Sequence, residues 1–269
     1  MKTGILRKMD ITNCGSATQI SANYLLRIEN EIIPMNSMLN KPIEIKFLGN
    51  IYCIRCGKKT SRSFGQGYCY PCFSTAPETE ECVLRPELCK AHLGEARDLE
   101  FAKNHCLIDH FVYLAWSGGL KVGITRNTQI PTRWLDQGAS RAIIICRTPN
   151  RYSAGMVEVE LKKSYADKTN WQAMLKGLQD NDLDLRLEKE KALNFLKGKG
   201  FSYQAEADIV YCIQYPILHY PEKVKSFSFD KEAEFKGILN GIKGQYLILD
   251  SGRALNIRTH GGFQVEIKF

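Results

Sequence analysis

Residues 53–72 read CIRCGKKTSRSFGQGYCYPC and carry two Cys-x2-Cys pairs separated by twelve residues. The two thiolates of such a pair can point at one centre, and Gly57, directly after the first pair, permits the positive φ of the turn. Two pairs then form a tetrahedral sulphur site that is closed to water. The pattern predicts a structural zinc site, with a redox dithiol and an iron–sulphur centre as alternatives. Its ligands are Cys53, Cys56, Cys69 and Cys72.

The loop between the two pairs is basic and contains aromatic side chains. Its cations can contact phosphates and its rings can stack on bases. The chain of 269 residues is also basic as a whole, with 37 Lys and Arg against 29 Asp and Glu and a formal net charge of +8. We therefore predict nucleic-acid contacts, DNA and RNA remaining undecided, with a solvated surface as the alternative role of these cations. The residues are Arg55, Lys58, Lys59, Arg62 and Arg126.

A second group of Cys and His residues follows, beginning with the spacing Cys-x6-Cys-x2-His. We predict a second zinc site here, with a buried, metal-free cysteine cluster as the alternative. The predicted ligands are Cys82, Cys89, His92 and His105. The fourth position stays open, because Cys106 and His110 are also near in sequence. The three other cysteines, Cys14, Cys146 and Cys212, lie in apolar or strand-like contexts that favour the core.

Strand patterns occupy both ends of the chain and its centre, and helical patterns follow the central strands. The predicted strands are 24–28, 43–47, 111–115, 120–124, 142–146 and 262–267, with a hairpin at 244–257 and helices at 153–165 and 185–196. This order predicts an α+β protein, whose two β-rich ends we expect to combine into one sheet or barrel. The predicted divisions are a β-rich segment at 1–50, a zinc-binding Cys/His module at 51–109, an αβ domain at 110–200 and a β-rich region at 201–269.

Two motifs and a later helix in the αβ domain resemble the GIY-YIG nuclease superfamily. The motifs are Val112-Tyr113 and Lys121-Val122-Gly123-Ile124-Thr125, and the helix contains AGMVEVEL at 154–161. In the phage-type branch the second motif reads Lys-Ile-Gly-hydrophobic-Thr, and the family helix follows the pattern A-x-x-x-E-x-x-L. The resemblance covers roughly residues 110–170, and it implies a compact GIY-YIG-like αβ core.

This resemblance implies a phosphodiesterase site in which a tyrosine helps to activate water, an arginine binds phosphate and a glutamate holds one magnesium or manganese ion. The implied catalytic residues are Tyr113, Lys121, Arg133 and Glu158. Lys162 stands where the family often has a histidine, and a lysine there would repel a cation. Glu160 is the alternative to Glu158; only one of the two can point into the site.

As far as Trp171, the chain also resembles an uncharacterised bacterial family described only as a domain of unknown function. Its members join Cys-Ile-x-Cys-Gly, Gly-Tyr-Cys-Tyr-Pro-Cys, Arg-Pro-Glu-Leu-Cys and Asp-Lys-Thr-Asn-Trp segments, all of which occur here. This second resemblance identifies related proteins and implies no activity.

Three functions of different classes are consistent with these patterns: a zinc-stabilised nucleic-acid-binding protein that is a magnesium-dependent phosphodiesterase on DNA or RNA, a catalytically inactive nucleic-acid-binding module, and a zinc-folded interaction or assembly protein. We rank nucleic-acid binding, with or without cleavage, first. Neither G-x-G-x-x-G after a strand nor G-x4-G-K-[ST] is present, so no small-molecule cofactor is predicted. Without a secretory signal or a run of ~20 apolar residues, we predict a cytoplasmic protein with reduced thiols. The oligomeric state is left open.

Overall fold

Strands form the larger part of the regular structure in the computed structural model, which describes residues 1–28, 31–180 and 182–269. The mixed α+β class is as predicted. The strands in the described residues are β1 (Lys2–Ile5), β2 (Asp10–Asn13), β3 (Gln19–Ile28), β4 (Glu31–Pro34), β5 (Pro42–Tyr52), β6 (Lys59–Thr60), β7 (His110–Trp116), β8 (Leu120–Arg126), β9 (Arg141–Thr148), β10 (Gln204–Ala205), β11 (Val210–Gln214), β12 (Lys225–Phe227), β13 (Glu234–Lys243), β14 (Tyr246–Leu249), β15 (Arg253–Asn256) and β16 (Phe263–Lys268).

The helices in the described residues are α1 (Tyr70–Thr75), α2 (Leu99–His105), α3 (Thr132–Asp136), α4 (Arg151–Leu161), α5 (Trp171–Leu175) and α6 (Leu185–Leu196). Helix α6 has the predicted bounds, and the Asp184 carboxylate caps its first turn. Helix α4 begins two residues earlier and ends four residues earlier than predicted, and its start at Arg151 is set by Asn150, which accepts a hydrogen bond from the Ser153 amide. None of the helices in the described stretches is long and apolar enough to cross a membrane.

The first sheet, called the terminal sheet here, joins strands from both ends of the chain. Its order is β1-β16-β5-β13-β14-β15-β12, with β6 paired to β5. The first strand lies antiparallel to the last, with Lys2 opposite Ile267, and β5 lies between β16 and β13. The predicted hairpin is present as β14 and β15. The two β-rich ends therefore combine only in part: the predicted strand 24–28 lies in β3, which belongs with β2, β4, β10 and β11 to the second sheet.

The second sheet, called the core sheet, has the order β2-β3-β11-β9-β7-β8, with β4 paired to β3 and β10 to β9. Strand β7 lies between β8 and β9 and is antiparallel to both. Its side chains alternate between two buried clusters, as the strand period requires. Val112 and Leu114 pack with helices α4 and α6, whereas Tyr113 and Ala115 pack in the cluster shared with the terminal sheet. The core sheet is thus covered on both faces around β7.

The three cysteines that were predicted to lie in the core have different environments. Cys146 on β9 is fully buried, as expected. The prediction for Cys14 is wrong, because this residue follows the edge strand β2 and its side chain is exposed. Cys212 on β11 is half-buried. Apolar neighbours in the sequence were therefore not enough to predict whether a cysteine lies on a buried strand or beyond the end of an edge strand.

Candidate metal centres and a charged cavity

Cys53, Cys56, Cys69 and Cys72 form a four-cysteine group whose sulphur atoms all lie within 4.8 Å of one another. The first pair turns as expected, with the Gly57 amide donating to the Cys53 carbonyl at 2.9 Å and with φ +70° at Gly57. Cys69 precedes α1, and its carbonyl accepts from the Phe73 amide at 2.9 Å. Four thiolates at this spacing are a complete tetrahedral donor set. The group could hold a metal ion and is consistent with structural zinc.

Residues 53–75, called the four-cysteine module here, are attached to the terminal sheet by contacts to its backbone. The Ser63 hydroxyl in the module donates to the Gly261 carbonyl at 3.2 Å, and the Tyr52 amide, at the end of β5 directly before the module, donates to the Gly262 carbonyl at 2.7 Å. A side chain at Gly262 would lie 2.3 Å from the Tyr52 oxygen, so only glycine permits this approach. The Arg258 guanidinium donates to the Gln66 side chain in the module.

The four predicted loop cations, Arg55, Lys58, Lys59 and Arg62, are all exposed. None of them has an ion-pair partner within the described parts of the chain. The Arg62 guanidinium lies 5.5 Å from the Phe64 ring centroid, and Tyr70 beside it is 63% exposed. The fifth predicted contact residue, Arg126, lies apart from this loop, at the end of β8 in the cavity described below.

The second metal-ligand group in the described residues contains Cys82, Cys89 and Cys106, with their sulphur atoms within 4.8 Å of one another. The prediction of His105 as a ligand in this group is replaced by Cys106, the next residue. Nδ1 of His105 is 2.9 Å from the Phe101 carbonyl, and its ring stacks on Phe101 at 3.7 Å. Neighbouring residues at a helix end point about 100° apart, so only one can face the cluster.

His92, the other predicted histidine, lies beside the cysteine group but outside it. Its ring stacks on Tyr152 with centroids 4.4 Å apart, and Tyr152 packs against the buried cysteines. The three sulphur atoms by themselves are an incomplete donor set for tetrahedral zinc.

A charged cavity of about 340 Å³ lies where α3, α4, β7 and β8 meet the segment between Cys82 and Cys89. Its wall carries six cationic side chains and three carboxylates, so the net field favours anions. The charged lining residues are Lys8, Arg126, Arg133, Arg151, Lys162, Arg258, Asp136, Glu158 and Asp167.

Two predicted catalytic residues, Arg133 on α3 and Glu158 on α4, line this cavity. Glu158 is only 8% exposed, and burial raises the pKa of its carboxyl, although Lys162 and Arg133 oppose that effect. The Lys162 amine lies 3.3 Å from Oε2 of Glu158. Glu160 faces away from the cavity and pairs with Lys163 at 2.7 Å. Of the two glutamates considered for the site, Glu158 is therefore the one that lines the cavity.

The other two predicted catalytic residues, Tyr113 and Lys121, are buried behind the cavity wall. Tyr113 is fully buried, its hydroxyl donates to Oε1 of Gln137 at 2.9 Å, and burial raises its pKa. Lys121 is 4% exposed, and its amine donates to the Thr169 hydroxyl at 2.9 Å. Burial, with the nearby Arg133 charge, lowers the pKa of Lys121 to about 8. Neither side chain lines the cavity directly.

Several lining residues were not assigned to this site from the sequence. His110, which was considered only as a zinc ligand, is 1% exposed at the start of β7 and lines the cavity. Its Nδ1 is 2.8 Å from the Ile108 carbonyl, while its Nε2 is buried without a partner among the described residues. Burial lowers the pKa of His110 to about 4, so its ring is neutral at pH 7. The sequence signal that could have placed His110 in this site is its position three residues before Tyr113, at the start of the same strand.

Two guanidinium groups on the cavity wall have an unsatisfied nitrogen. Nε of Arg133 and Nε of Arg151 are both buried without a hydrogen-bond partner in the described part of the chain. Buried donors of this kind ordinarily find a partner.

Comparison with known proteins identifies one family. A model described as "Protein of unknown function (DUF2797)" matches residues 40–265, which includes both cysteine groups and the cavity except for Lys8. Searches of curated proteins and of solved structures found no match.

Proposed function

We propose a function for this chain from the premise that it belongs to the DUF2797 family, whose description gives no activity. The protein binds nucleic acid at the charged cavity and hydrolyses a phosphodiester there with a divalent cation. The observation that carries this proposal is that the nearly buried carboxylate of Glu158 lines the same cavity as six cationic side chains. DNA and RNA remain alternative substrates.

The arrangement of the core supports the GIY-YIG resemblance on which the proposal draws. Strand β7 is central between β8 and β9, and helices α3 and α4 follow in the order in which Arg133 and Glu158 are expected. The tyrosine and lysine of the two motifs lie on the adjacent strands β7 and β8. Four residues separated by up to 45 positions are thereby brought to one region of the fold.

The donor chemistry of the cavity fits one hard cation. Glu158 would hold magnesium or manganese with a single carboxylate, the remaining positions being taken by water and substrate oxygens, as magnesium prefers. When bound, the cation would supply Lewis-acid polarisation of the phosphodiester.

The chain's own residues have separate roles in this proposal. Arg133 and Arg126 bind phosphate oxygens and neutralise the charge that develops during displacement. His110 offers an unprotonated Nε2 that can accept a proton from water or a sugar hydroxyl. Tyr113 and Lys121 lie behind the wall and position Arg133 and the 166–169 segment, to which Lys121 is bonded. The exposed loop cations of the four-cysteine module extend the phosphate-binding surface.

Glu158→Gln is expected to abolish magnesium-dependent cleavage and to preserve nucleic-acid binding. The loss of the only cavity carboxylate on α4 removes a Lewis acid worth several kcal/mol, which corresponds to more than about a 100-fold lower rate. End-labelled single-stranded, duplex and branched DNA and RNA serve as substrates. Glu160→Gln is the matched control, because Glu160 lies on the same helix outside the cavity and should leave the rate unchanged. Equal rates for both variants would contradict the assignment of Glu158.

A binding module without cleavage is the second candidate, and the Lys162 contact favours it. The amine 3.3 Å from Glu158 occupies the side of the carboxylate where a cation would bind. For an inactive wild type, Lys162→Gln is expected to introduce magnesium stimulation of cleavage, since it removes a competing charge of the same sign. An active wild type whose cation affinity is unchanged by Lys162→Gln would exclude this candidate. If the wild type binds no tested nucleic acid at low salt, the zinc-folded interaction or assembly protein is the remaining candidate function.

A further inference from the structure

We propose that Cys82, Cys89 and Cys106, completed by His92, hold a second structural zinc ion, and that this ion fixes one wall of the charged cavity. This site is separate from the four-cysteine group and does not depend on the function proposed above. The proposal rests on the convergence of three buried thiols from segments up to 24 residues apart.

The segment around these thiols has little apolar core of its own. Its buried cluster consists of three cysteines and two alanines, with Ala96 and Tyr152 packed against it. The large apolar side chains of the same segment point outward and are 39–85% exposed; they are Val83, Leu84, Leu88, Leu93, Leu99 and Leu107. A stretch of about 30 residues with so little buried apolar area needs a cross-link or a metal to remain ordered.

A disulfide does not explain the cluster, because three thiols cannot all pair and all three are free. Each is at most 6% exposed, so their role as reactive surface thiols is also excluded. Three thiolates around one point match the chemistry of a zinc site with three cysteines and one histidine, of which only the nitrogen ligand remains to be assigned.

His92 is the fourth ligand that the sequence spacing favours, and its exposed ring lies outside the 4.8 Å group formed by the three thiols in this structure. It follows Cys89 at the Cys-x2-His spacing, on the short 3-10 turn Ala91–Leu93. Its ring contacts Tyr152, which packs on the cluster, and its nitrogens have no hydrogen bond to the described residues. His105 is held on the other side of α2 by Phe101, through its ring and its Nδ1 atom.

The same segment is joined to helix α4 through Arg151, the first residue of that helix. The Arg151 amide donates to the Cys106 carbonyl at 2.8 Å, and its guanidinium donates to the His105 carbonyl at 3.1 Å and the Cys82 carbonyl at 3.3 Å. Val83, Leu84 and Pro86, which lie between two of the thiols, line the cavity opposite Glu158. Metal at the cluster would therefore fix both Arg151 and this wall.

The first test counts metal in the purified full-length protein under reducing conditions. We expect about two zinc ions per chain in the wild type and in the Cys14→Ser control, whose thiol is exposed and belongs to neither group. Cys82→Ser/Cys106→Ser and Cys56→Ser/Cys69→Ser should each retain about one. About one zinc ion in the wild type, or two in Cys82→Ser/Cys106→Ser, would overturn the proposal.

The second test uses zinc X-ray absorption and does not rely on the folding of cysteine variants. The wild type should show a mixed sulphur and imidazole coordination sphere, and the imidazole signal should disappear in His92→Ala but remain in His105→Ala. A signal that is purely sulphur, or that disappears in His105→Ala, overturns the His92 assignment.

The coupling to the cavity is tested by hydrogen exchange. Exchange in residues 86–89 and in the first turn of α4 should increase in Cys82→Ser/Cys106→Ser and not in Cys56→Ser/Cys69→Ser. Equal protection in both variants would show that the metal does not fix this wall. None of the three measurements requires nucleic acid, so a failure here is distinct from a failure of the proposed phosphodiesterase.

Discussion

Cys56→Ser/Cys69→Ser should release the metal of the four-cysteine group and unfold residues 53–75, including the short edge strand β6, while the rest of the two sheets remains folded. In this fully described stretch, no apolar side chain between residues 54 and 75 is completely buried. Phe64, Tyr68 and Phe73 are each half-buried, so the segment lacks a core of its own. Apparent zinc free energies of about 10–16 kcal/mol in zinc-finger peptides exceed what such partial burial can supply.

Local unfolding is measurable because the three tryptophans, Trp116, Trp134 and Trp171, all lie outside the module. We expect complete amide exchange in residues 53–75 within the shortest labelling time, together with a nearly unchanged tryptophan-detected unfolding transition. Cys14→Ser is the control and should match the wild type in both measurements. Global loss of the tryptophan transition in the double variant would show instead that the terminal sheet depends on the metal.

The sequence predicted the regular elements well where local chemistry determines them. Helix α6 was placed correctly because its helical pattern stops before Gly198 and Gly200, and Leu185, Ala192 and Leu196 form one buried face. The central strands were found because β7 and β9 contain continuous apolar runs at 111–116 and 142–146, as expected of strands covered on both faces. The four-cysteine group was also predictable, because all four ligands lie in two local turns.

The cavity was only partly predictable, because residues distant in sequence meet there. Lys8 and Arg258 come from the two ends of the chain, and they reach the same wall only after β1 and β5 pair with β16. No local pattern marks such residues. The second cysteine group had a related difficulty, since the choice between His105 and Cys106 depends on the orientation of the last turn of α2.

Gly155→Ala is expected to lower the free energy of unfolding by about 3 kcal/mol, the upper part of the range for overpacking. In an ordinary helix interior this substitution would be stabilising by about 1 kcal/mol, because alanine is the better helix former. Here the added methyl group would lie 2.4 Å from the Glu87 nitrogen and 2.5 Å from the Pro86 carbonyl carbon. Both are backbone atoms, which cannot rotate away, so the segment between Cys82 and Cys89 must separate from α4.

The sign of the change in the free energy of unfolding distinguishes the two effects: the close contact predicts a destabilised variant, and helix propensity predicts a stabilised one. Urea unfolding followed by tryptophan fluorescence measures the free energy, with Ser153→Ala as the matched control on the same helix. Ser153 is bonded to the Asn150 cap through its backbone amide, so its side chain can be removed without loss of that bond. Hydrogen exchange should show that the loss begins at residues 86–89, because these carry the contact. A Gly155→Ala protein as stable as the wild type would mean that α4 and the cavity wall do not touch. The coupling between the second cysteine group and Glu158 would then rest on the Arg151 hydrogen bonds alone, because Gly155 carries the direct packing contact one turn before that carboxylate.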